Sequence, residues 1–188
     1  MNIIYKIATL SDIEATLKLH AKYQVDTIAE EDKKDGFVTT AFTKEELTEL
    51  IEQEQGLFIA KEGDEVLAYV MAASWQFWSK WPMFQHMIKD LNSLEYKGQT
   101  LTVDNSYQYG PICIDKSVRG TAVLKEIFNF SLGHMEKRYP ILVTFVNQIN
   151  PRSYEAHTRK LGLDVIQEFD FNGNRYLEMA CETSKVII

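Results

Sequence analysis

Residues 109–132 have the sequence YGPICIDKSVRGTAVLKEIFNFSL, which predicts a strand, a short loop and a helix in that order. The apolar run Ile112-Cys113-Ile114 is typical of a buried strand. Asp115 opens the polar loop, and apolar side chains then recur at spacings of three and four, which is the helical period. The first turn of a helix has unpaired N–H groups and the positive end of its dipole. The segment therefore predicts an anion site, and we expect a pyrophosphate there.

The composition limits the class of protein. The chain has 188 residues, of which 45% are hydrophobic and 25% charged, and this suits one globular domain spanning residues 1–188. The net charge of −7 argues against nucleic acid or an anionic membrane as a partner. The sequence has no apolar run long enough for a membrane span and no signal peptide, so we expect a cytoplasmic protein.

The cysteines and histidines show no metal-site pattern. Cys113 and Cys181 both lie in apolar strand patterns, and we expect them to be buried free thiols. The Cys and His residues do not have the spacing of a metal site, so no metal is expected. His20 falls on the apolar face of the first predicted helix, where a packing role is expected rather than a functional one.

The apolar patterns outside residues 109–132 predict strands and helices in a mixed order. Strands are expected at 3–8, 57–60, 66–73, 106–114, 141–146, 163–171 and 175–179. Capping boxes that begin at Ser11 and Thr43 predict two helices between the first two strands. Asn172-Gly173 is a strong hairpin signal between the last two strands. The whole pattern indicates a single α and β domain without repeats.

Residues 75–84, here called the aromatic segment, contain five aromatic residues in ten positions. The simpler interpretation is the end of a strand followed by an apolar lid that packs on the core. The alternatives are an aromatic wall for a substrate or the interface of a homodimer.

A second helix near the C-terminus has both ends marked in the sequence. Asn150 is a suitable N-cap, Pro151 suits the first helical position, and Gly162 suits the C-terminal cap. These signals predict a helix of about eleven residues. Spacings of three and four place four of its residues on one face. They are Asn150, Ser153, Tyr154 and His157.

This order of elements, together with the two segments, resembles the GCN5-related N-acetyltransferase superfamily over nearly the whole chain. The resemblance implies an α/β (α+β) fold, with a mixed, mostly antiparallel central sheet of about seven strands and about four flanking helices. It also implies acetyl-CoA as co-substrate. The loop matches the family pattern at Arg119 but has Ala122 and Leu124 where small residues, usually glycine, are typical, so the pattern is degenerate.

The resemblance assigns cofactor contacts residue by residue. The strand before the loop would hold the pantetheine arm and the thioester through its backbone, the loop would hold the pyrophosphate, and two residues of the second helix would also contact the cofactor. These residues are Ile112, Cys113, Ile114, Arg119, Gly120, Thr121, Ala122, Val123, Asn150 and Ser153.

The second helix also matches a family series through Asn150, Ser153 and His157, followed by Leu161-Gly162. The family usually has a tyrosine as the acid that protonates the leaving thiolate. Here His157 stands in that position, and Tyr154 is the alternative acid. No general base is identified. Asp104, Asp115 and Glu95 are carboxylates near the strand that precedes the loop.

We therefore expect an N-acetyltransferase that moves acetyl from acetyl-CoA to a primary amine by direct attack. The acceptor would be a small molecule or a peptide. The alternative is a non-catalytic acyl-CoA-binding or sensing domain with a degenerate phosphate loop. A third hypothesis is an interaction protein that forms a homodimer through the aromatic segment.

Overall fold

The computed structural model describes residues 2–188, and within that range it contains nine strands and six α-helices. The strands are β1 (Ile4–Ile7), β2 (Leu57–Glu62), β3 (Glu65–Ala73), β4 (Glu95–Tyr96), β5 (Gln99–Thr100), β6 (Ser106–Ile114), β7 (Ile141–Asn147), β8 (Asp164–Phe171) and β9 (Asn174–Glu182). The helices are α1 (Ile13–Tyr23), α2 (Lys44–Glu49), α3 (Trp75–Trp78), α4 (Pro82–Leu91), α5 (Val123–Met135) and α6 (Pro151–Glu155).

The central sheet has seven strands in the order β1-β2-β3-β6-β7-β9-β8. The pairs β1–β2, β2–β3, β7–β9 and β8–β9 are antiparallel, whereas β6 and β7 are parallel. This confirms the predicted mixed, mostly antiparallel sheet of seven strands. The short strands β4 and β5 form a separate hairpin. The parallel register joins only Ser106–Gln108 to Ile141–Val143, so this ladder is short.

The number of helices was underestimated, because the aromatic segment is helical. It forms α3 and the beginning of α4, not the end of a strand with a lid. The side chain of Ser74 caps α3 by accepting a hydrogen bond from the amide of Phe77 at 3.2 Å. Pro82 lies in the first turn of α4, where its missing N–H costs nothing. None of the helices in residues 2–188 is long and apolar enough to cross a bilayer.

The residues fall into two compact units. One comprises the chain up to residue 71 together with 110–131, and the other comprises 72–109 together with 132–188. Each unit has its own buried apolar side chains. In the first unit, Leu47 and Phe58 are fully buried. In the second, Trp78 and Leu161 are fully buried.

In the first unit, His20 packs inside the fold as expected. Its side chain is buried, and Nδ1 lies 2.8 Å from the hydroxyl of Tyr69. The amide of Phe42 donates to Nε2 at 3.1 Å, so this imidazole joins α1 to the chain before α2. Both ring nitrogens are used by the fold, which explains why a histidine can be buried there.

In the second unit, α3 and α4 pack against strands of the sheet. The indole N–H of Trp78 donates to the carbonyl of Gln108 at 3.1 Å, and the indole N–H of Trp75 donates to the hydroxyl of Ser106 at 3.0 Å. The rings of Phe84 and Phe145 lie 5.8 Å apart. The expected packing of the aromatic segment on the core is therefore confirmed.

Candidate functional site

The loop after β6 is anchored by the carboxylate of Asp115. Its Oδ1 accepts a hydrogen bond from the amide of Ser117 at 2.8 Å. Its Oδ2 accepts from the ammonium of Lys22 and, at 3.3 Å, from the hydroxyl of Tyr23. The same hydroxyl accepts from the amide of Lys116 at 2.8 Å. These contacts join α1 to the loop and fix the point from which the chain enters α5.

Burial alone would raise the pKa of Asp115, but the contacts with Lys22 and Ser117 lower it to about 2. The carboxylate is therefore ionised and fully engaged at neutral pH. A general base needs a pKa near the working pH. Asp115 therefore does not suit the role of base for which the sequence made it a candidate.

Asp115→Asn is expected to lower the free energy of unfolding by about 2 kcal/mol at neutral pH. The folded-state pKa of about 2 lies below the ordinary 3.8, so the ionised carboxylate stabilises the fold above pH 3.8. That contribution disappears as the pH falls through 2. Urea unfolding of the two proteins at neutral pH and near pH 2 measures the gap, which should close in acid.

Asp32→Asn is the matched control for this experiment. The carboxylate of Asp32 pairs with the exposed ammonium of Lys116 at 3.2 Å. Pairs of this kind contribute up to about 1 kcal/mol, so the control should be nearly as stable as the wild type. If the difference in free energy of unfolding between wild type and Asp115→Asn persists in acid, the loss of stability comes from packing and not from charge.

Arg119 has a positioning role in the loop. Its Nε donates to the carbonyl of Ile114 at 3.0 Å, and its guanidinium lies over the ring of Tyr23 with Cζ 4.9 Å from the centroid. The contacts hold the side chain against the end of β6. The next residue, Gly120, is exposed and has a φ of +79°, in the region that favours glycine.

The start of α5 offers amides to an anion. At the start of α5 the amide of Glu126 donates to the carbonyl of Ala122 at 3.0 Å. The amides of a helix's first turn have no partner within the helix. The hydroxyl of Thr121 accepts from the amide of Val123 at 3.3 Å.

One feature of this helix start opposes an anion. Glu126 lies in the first turn of α5, where a negative charge occupies the positive end of the dipole. Its carboxylate accepts a hydrogen bond from the hydroxyl of Tyr5. Burial and then this contact raise the pKa of Tyr5. The loop therefore has the amides that a diphosphate needs but also a carboxylate close by.

The strand before the loop has a buried thiol. Cys113 is 4% exposed, and burial raises the pKa of its thiol to about 12. Arg119 and the hydroxyl of Tyr69 lower that pKa only in part. The thiol is neutral at physiological pH and therefore a weak nucleophile. The thiol therefore does not suit a covalent role. Both cysteines are free and buried, as predicted.

The helix after β7 begins and ends where the sequence predicts. Asn150 is the N-cap, and its Oδ1 accepts from the amide of Ser153 at 3.1 Å. The α-helix ends at Glu155 and continues as a π-helical turn over Ala156–Lys160. Gly162 follows with a φ of +66°. The side-chain oxygen of Asn150 is thus used by the helix itself.

The expected single face of this helix is split in the structure. His157 is 5% exposed and lies edge-on to the ring of Tyr109, with centroids 6.0 Å apart. Ser153 is half-buried, whereas Tyr154 is 39% exposed. Ser153 and His157 therefore turn inward, and Tyr154 turns toward solvent. Ser153 and Tyr154 differ in exposure because a helix places consecutive side chains about a quarter-turn apart.

The hydrogen bonds of His157 determine its protonation. Nδ1 lies 2.7 Å from the carbonyl oxygen of Ser153, which can only accept, so Nδ1 donates. Burial lowers the pKa of this imidazole, and the carbonyl of Ser153 offsets the shift only in part. The ring is therefore neutral at pH 7, and its Nε2 is an acceptor. In this state His157 does not have the spare proton that an acid requires.

Comparisons with known proteins agree with this architecture. No protein-family model matches the sequence, and no curated protein matches it. Solved structures match over nearly the full length. The structure of yncA from Salmonella typhimurium with its cofactor acetyl-CoA has a TM-score of 0.64 and 12% identity, covering 98% of this chain and 96% of that one. An N-acetyltransferase from Staphylococcus aureus Mu50 has a TM-score of 0.61 and 16% identity, covering 98% and 100%.

A third match, smu.2055 from Streptococcus mutans UA159, has a TM-score of 0.63 and 18% identity, covering 98% of this chain and 100% of that one. The chain has the fold of the GCN5-related N-acetyltransferases. The strand β6, the loop and α5 are the strand, loop and helix that the sequence predicted for residues 109–132. Among the described residues, no group of three or more His, Cys, Asp or Glu side chains could hold a metal ion.

Glu178 is a buried titratable residue that was not predicted from the sequence. Glu178 lies in the middle of β9 and is fully buried. The signal was present in the sequence, because a single carboxylate interrupts the apolar pattern of Tyr176–Cys181. Glutamate is rarely fully buried without a partner, so its position calls for an explanation.

Proposed function

We propose that this protein is an N-acetyltransferase that moves the acetyl group of acetyl-CoA to a primary amine. The observation that supports this most directly is the start of α5 at Val123, where the first helical turn follows a glycine with positive φ. Amides in that arrangement suit a diphosphate. The residues of the loop thus fit acetyl-CoA, which supplies an activated thioester. The fold, which matches over nearly the whole chain, agrees with this assignment.

The proposed reaction is a direct transfer. The deprotonated amine attacks the thioester carbonyl, a C–N bond forms, and the C–S bond breaks. The proton of the amine leaves to solvent or to a base, and the thiolate accepts a proton from an acid. Backbone groups of Ile112, Cys113 and Ile114 are proposed to hold the pantetheine arm and to stabilise the oxyanion. Asn150 and Ser153 remain proposed cofactor contacts.

We assign the acid role to Tyr154 in this proposal. A tyrosine hydroxyl can donate a hydrogen, and Tyr154 is exposed enough to meet a ligand. The neutral, buried imidazole of His157 is better suited to accept a hydrogen bond. His157 as the acid stays the competing hypothesis, and paired variants can separate the two.

A second candidate function is supported by the loop itself. Ala122 and Leu124 replace the small residues of the family pattern, and Glu126 adds a negative charge to the first turn of α5. Both features weaken phosphate binding. A non-catalytic acyl-CoA-binding or sensing domain is therefore the alternative. A homodimer is a less favoured proposal, because Trp75, Phe77 and Trp78 are buried within the chain.

The two functions predict different results in one experiment. The protein is mixed with acetyl-CoA and a panel of primary amines, including peptides and polyamines, and release of free thiol is followed. The enzyme should release thiol at a rate that depends on the amine. Calorimetric binding of acetyl-CoA without turnover on the whole panel would support the sensing domain. No binding and no turnover would contradict both.

A further inference from the structure

Glu178 is a carboxyl whose hydrogen bonding is incomplete. Its Oε2 accepts from the side-chain amide of Gln167 on β8 at 2.6 Å. Its Oε1 is buried and has no hydrogen-bond partner in residues 2–188. Glu178 also forms no ion pair with any described residue. A buried carboxylate without a cation is costly, so this oxygen marks a place where a donor or a positive charge is missing.

Aromatic residues are neighbours of Glu178 in the sheet. Glu178 is directly opposite Phe145 of β7 and Gln167 of β8 in the strand register. The ring of Phe145 lies 5.6 Å from that of Tyr176, which stacks on Phe169 at 5.4 Å. Phe145 and Tyr176 are only half-buried, so their rings form the part of this cluster that reaches the surface.

Helix α4 supplies titratable groups near this cluster. Burial is the main reason that the pKa of Glu178 is raised to about 7. The charge of Asp90, an exposed residue of α4, adds to this shift. His86 packs against Phe169 and Phe171 and has Nε2 3.9 Å from the carboxylate of Asp90. β7 and β8 present Phe145 and Gln167, which do not titrate. Two carboxyls and several ring faces are groups that attract a cation.

We infer that Glu178, with the rings of Phe145 and Tyr176, binds the ammonium group of an acceptor amine whose carbon skeleton is apolar or aromatic. This inference depends on the proposed acetyl transfer in one respect, because it takes the bound amine to be the acceptor. The ammonium meets the free Oε1, and the carbon skeleton packs on the half-buried rings. Phe145, Tyr176 and His86 are partly exposed members of the cluster, so an incoming amine would meet them before Glu178.

The probe for this site is phenethyltrimethylammonium, a cation that cannot be acetylated and does not titrate. Its binding to the full chain is measured by calorimetry. Glu178→Gln keeps the shape of the side chain and should weaken binding tenfold or more. Glu168→Gln is the matched control, because Glu168 is an exposed carboxylate on β8 that pairs with Arg175 at 3.6 Å. The control should bind the probe as the wild type does.

The pH dependence gives a second readout. The cation binds the ionised carboxylate, so wild-type affinity should rise from about pH 6 to about pH 8 as Glu178 loses its proton. Glu178→Gln should lose most of this rise. His86→Asn removes the neighbouring imidazole and should retain the rise. Equal affinity of wild type and Glu178→Gln, or no binding to the wild type, would overturn the inference.

Failure of this site and failure of the proposed function give different results. If the wild type binds the probe but not acetyl-CoA, the transfer proposal fails and the cation site stands. If Glu178→Gln turns over amines with an unchanged KM, the transfer proposal stands and the cation site fails. Thermal unfolding of Glu178→Gln verifies that the variant is folded in each case.

Discussion

Tyr154→Phe is expected to lower the turnover number for thiol release by roughly a hundredfold, within the usual range for one acid–base group. The change removes only a hydroxyl from a side chain that is 39% exposed, so the fold should be unaffected. Acetyl-CoA affinity should stay the same, because the hydroxyl acts on the leaving thiolate and not on the phosphates. The measurement is kcat from free thiol, with acetyl-CoA binding followed by calorimetry.

His157→Asn is the matched comparison for this prediction. The asparagine amide can still donate to the carbonyl of Ser153, as Nδ1 does now at 2.7 Å, but it has no counterpart of Nε2. If Tyr154 is the acid, this variant should retain most of its turnover. A folded His157→Asn protein with a larger loss of turnover than Tyr154→Phe would return the acid role to the imidazole.

Gly120→Val is expected to weaken acetyl-CoA binding by roughly ten- to a hundredfold. The φ of +79° at Gly120 is unfavourable for any residue with a Cβ and most of all for a β-branched one. No atom lies within 4 Å of a Cβ built there, so the effect comes from backbone strain and not from a clash. Strain of about 1–3 kcal/mol would turn the loop amides away from the ligand. Calorimetry with acetyl-CoA measures the change.

Gly133→Ala is the control for a glycine substitution in the same segment. Gly133 lies inside α5, its Cβ would also meet open space, and its φ is not in the positive region. This variant should bind acetyl-CoA as the wild type does and gain about 0.5–1 kcal/mol of stability, because alanine is the better helix former. Unchanged affinity in a folded Gly120→Val protein would place the phosphates elsewhere.

Local signals account for the parts of the structure that the sequence predicted well. Asn150 and Gly162 mark the ends of a helix because each acts on its own backbone within a turn. The seven strands follow from apolar periodicity in the same way. The aromatic segment was misassigned as the end of a strand, because Trp, Phe and Met are common in both strands and buried helices. In the structure, the cap at Ser74 starts α3 and Pro82 starts α4.

The sequence alone determined the order of elements, the strand–loop–helix segment at 109–132 and the residue types available for chemistry. Only the tertiary structure decided their chemical states. Asp115 is ionised because α1 brings Lys22 to it, and His157 is neutral because it is buried with Nδ1 bonded to Ser153. Glu178 keeps a free Oε1 because its contact with Gln167 of β8 uses only Oε2. Charge and burial depend on neighbours distant in the chain, which apolar periodicity does not specify.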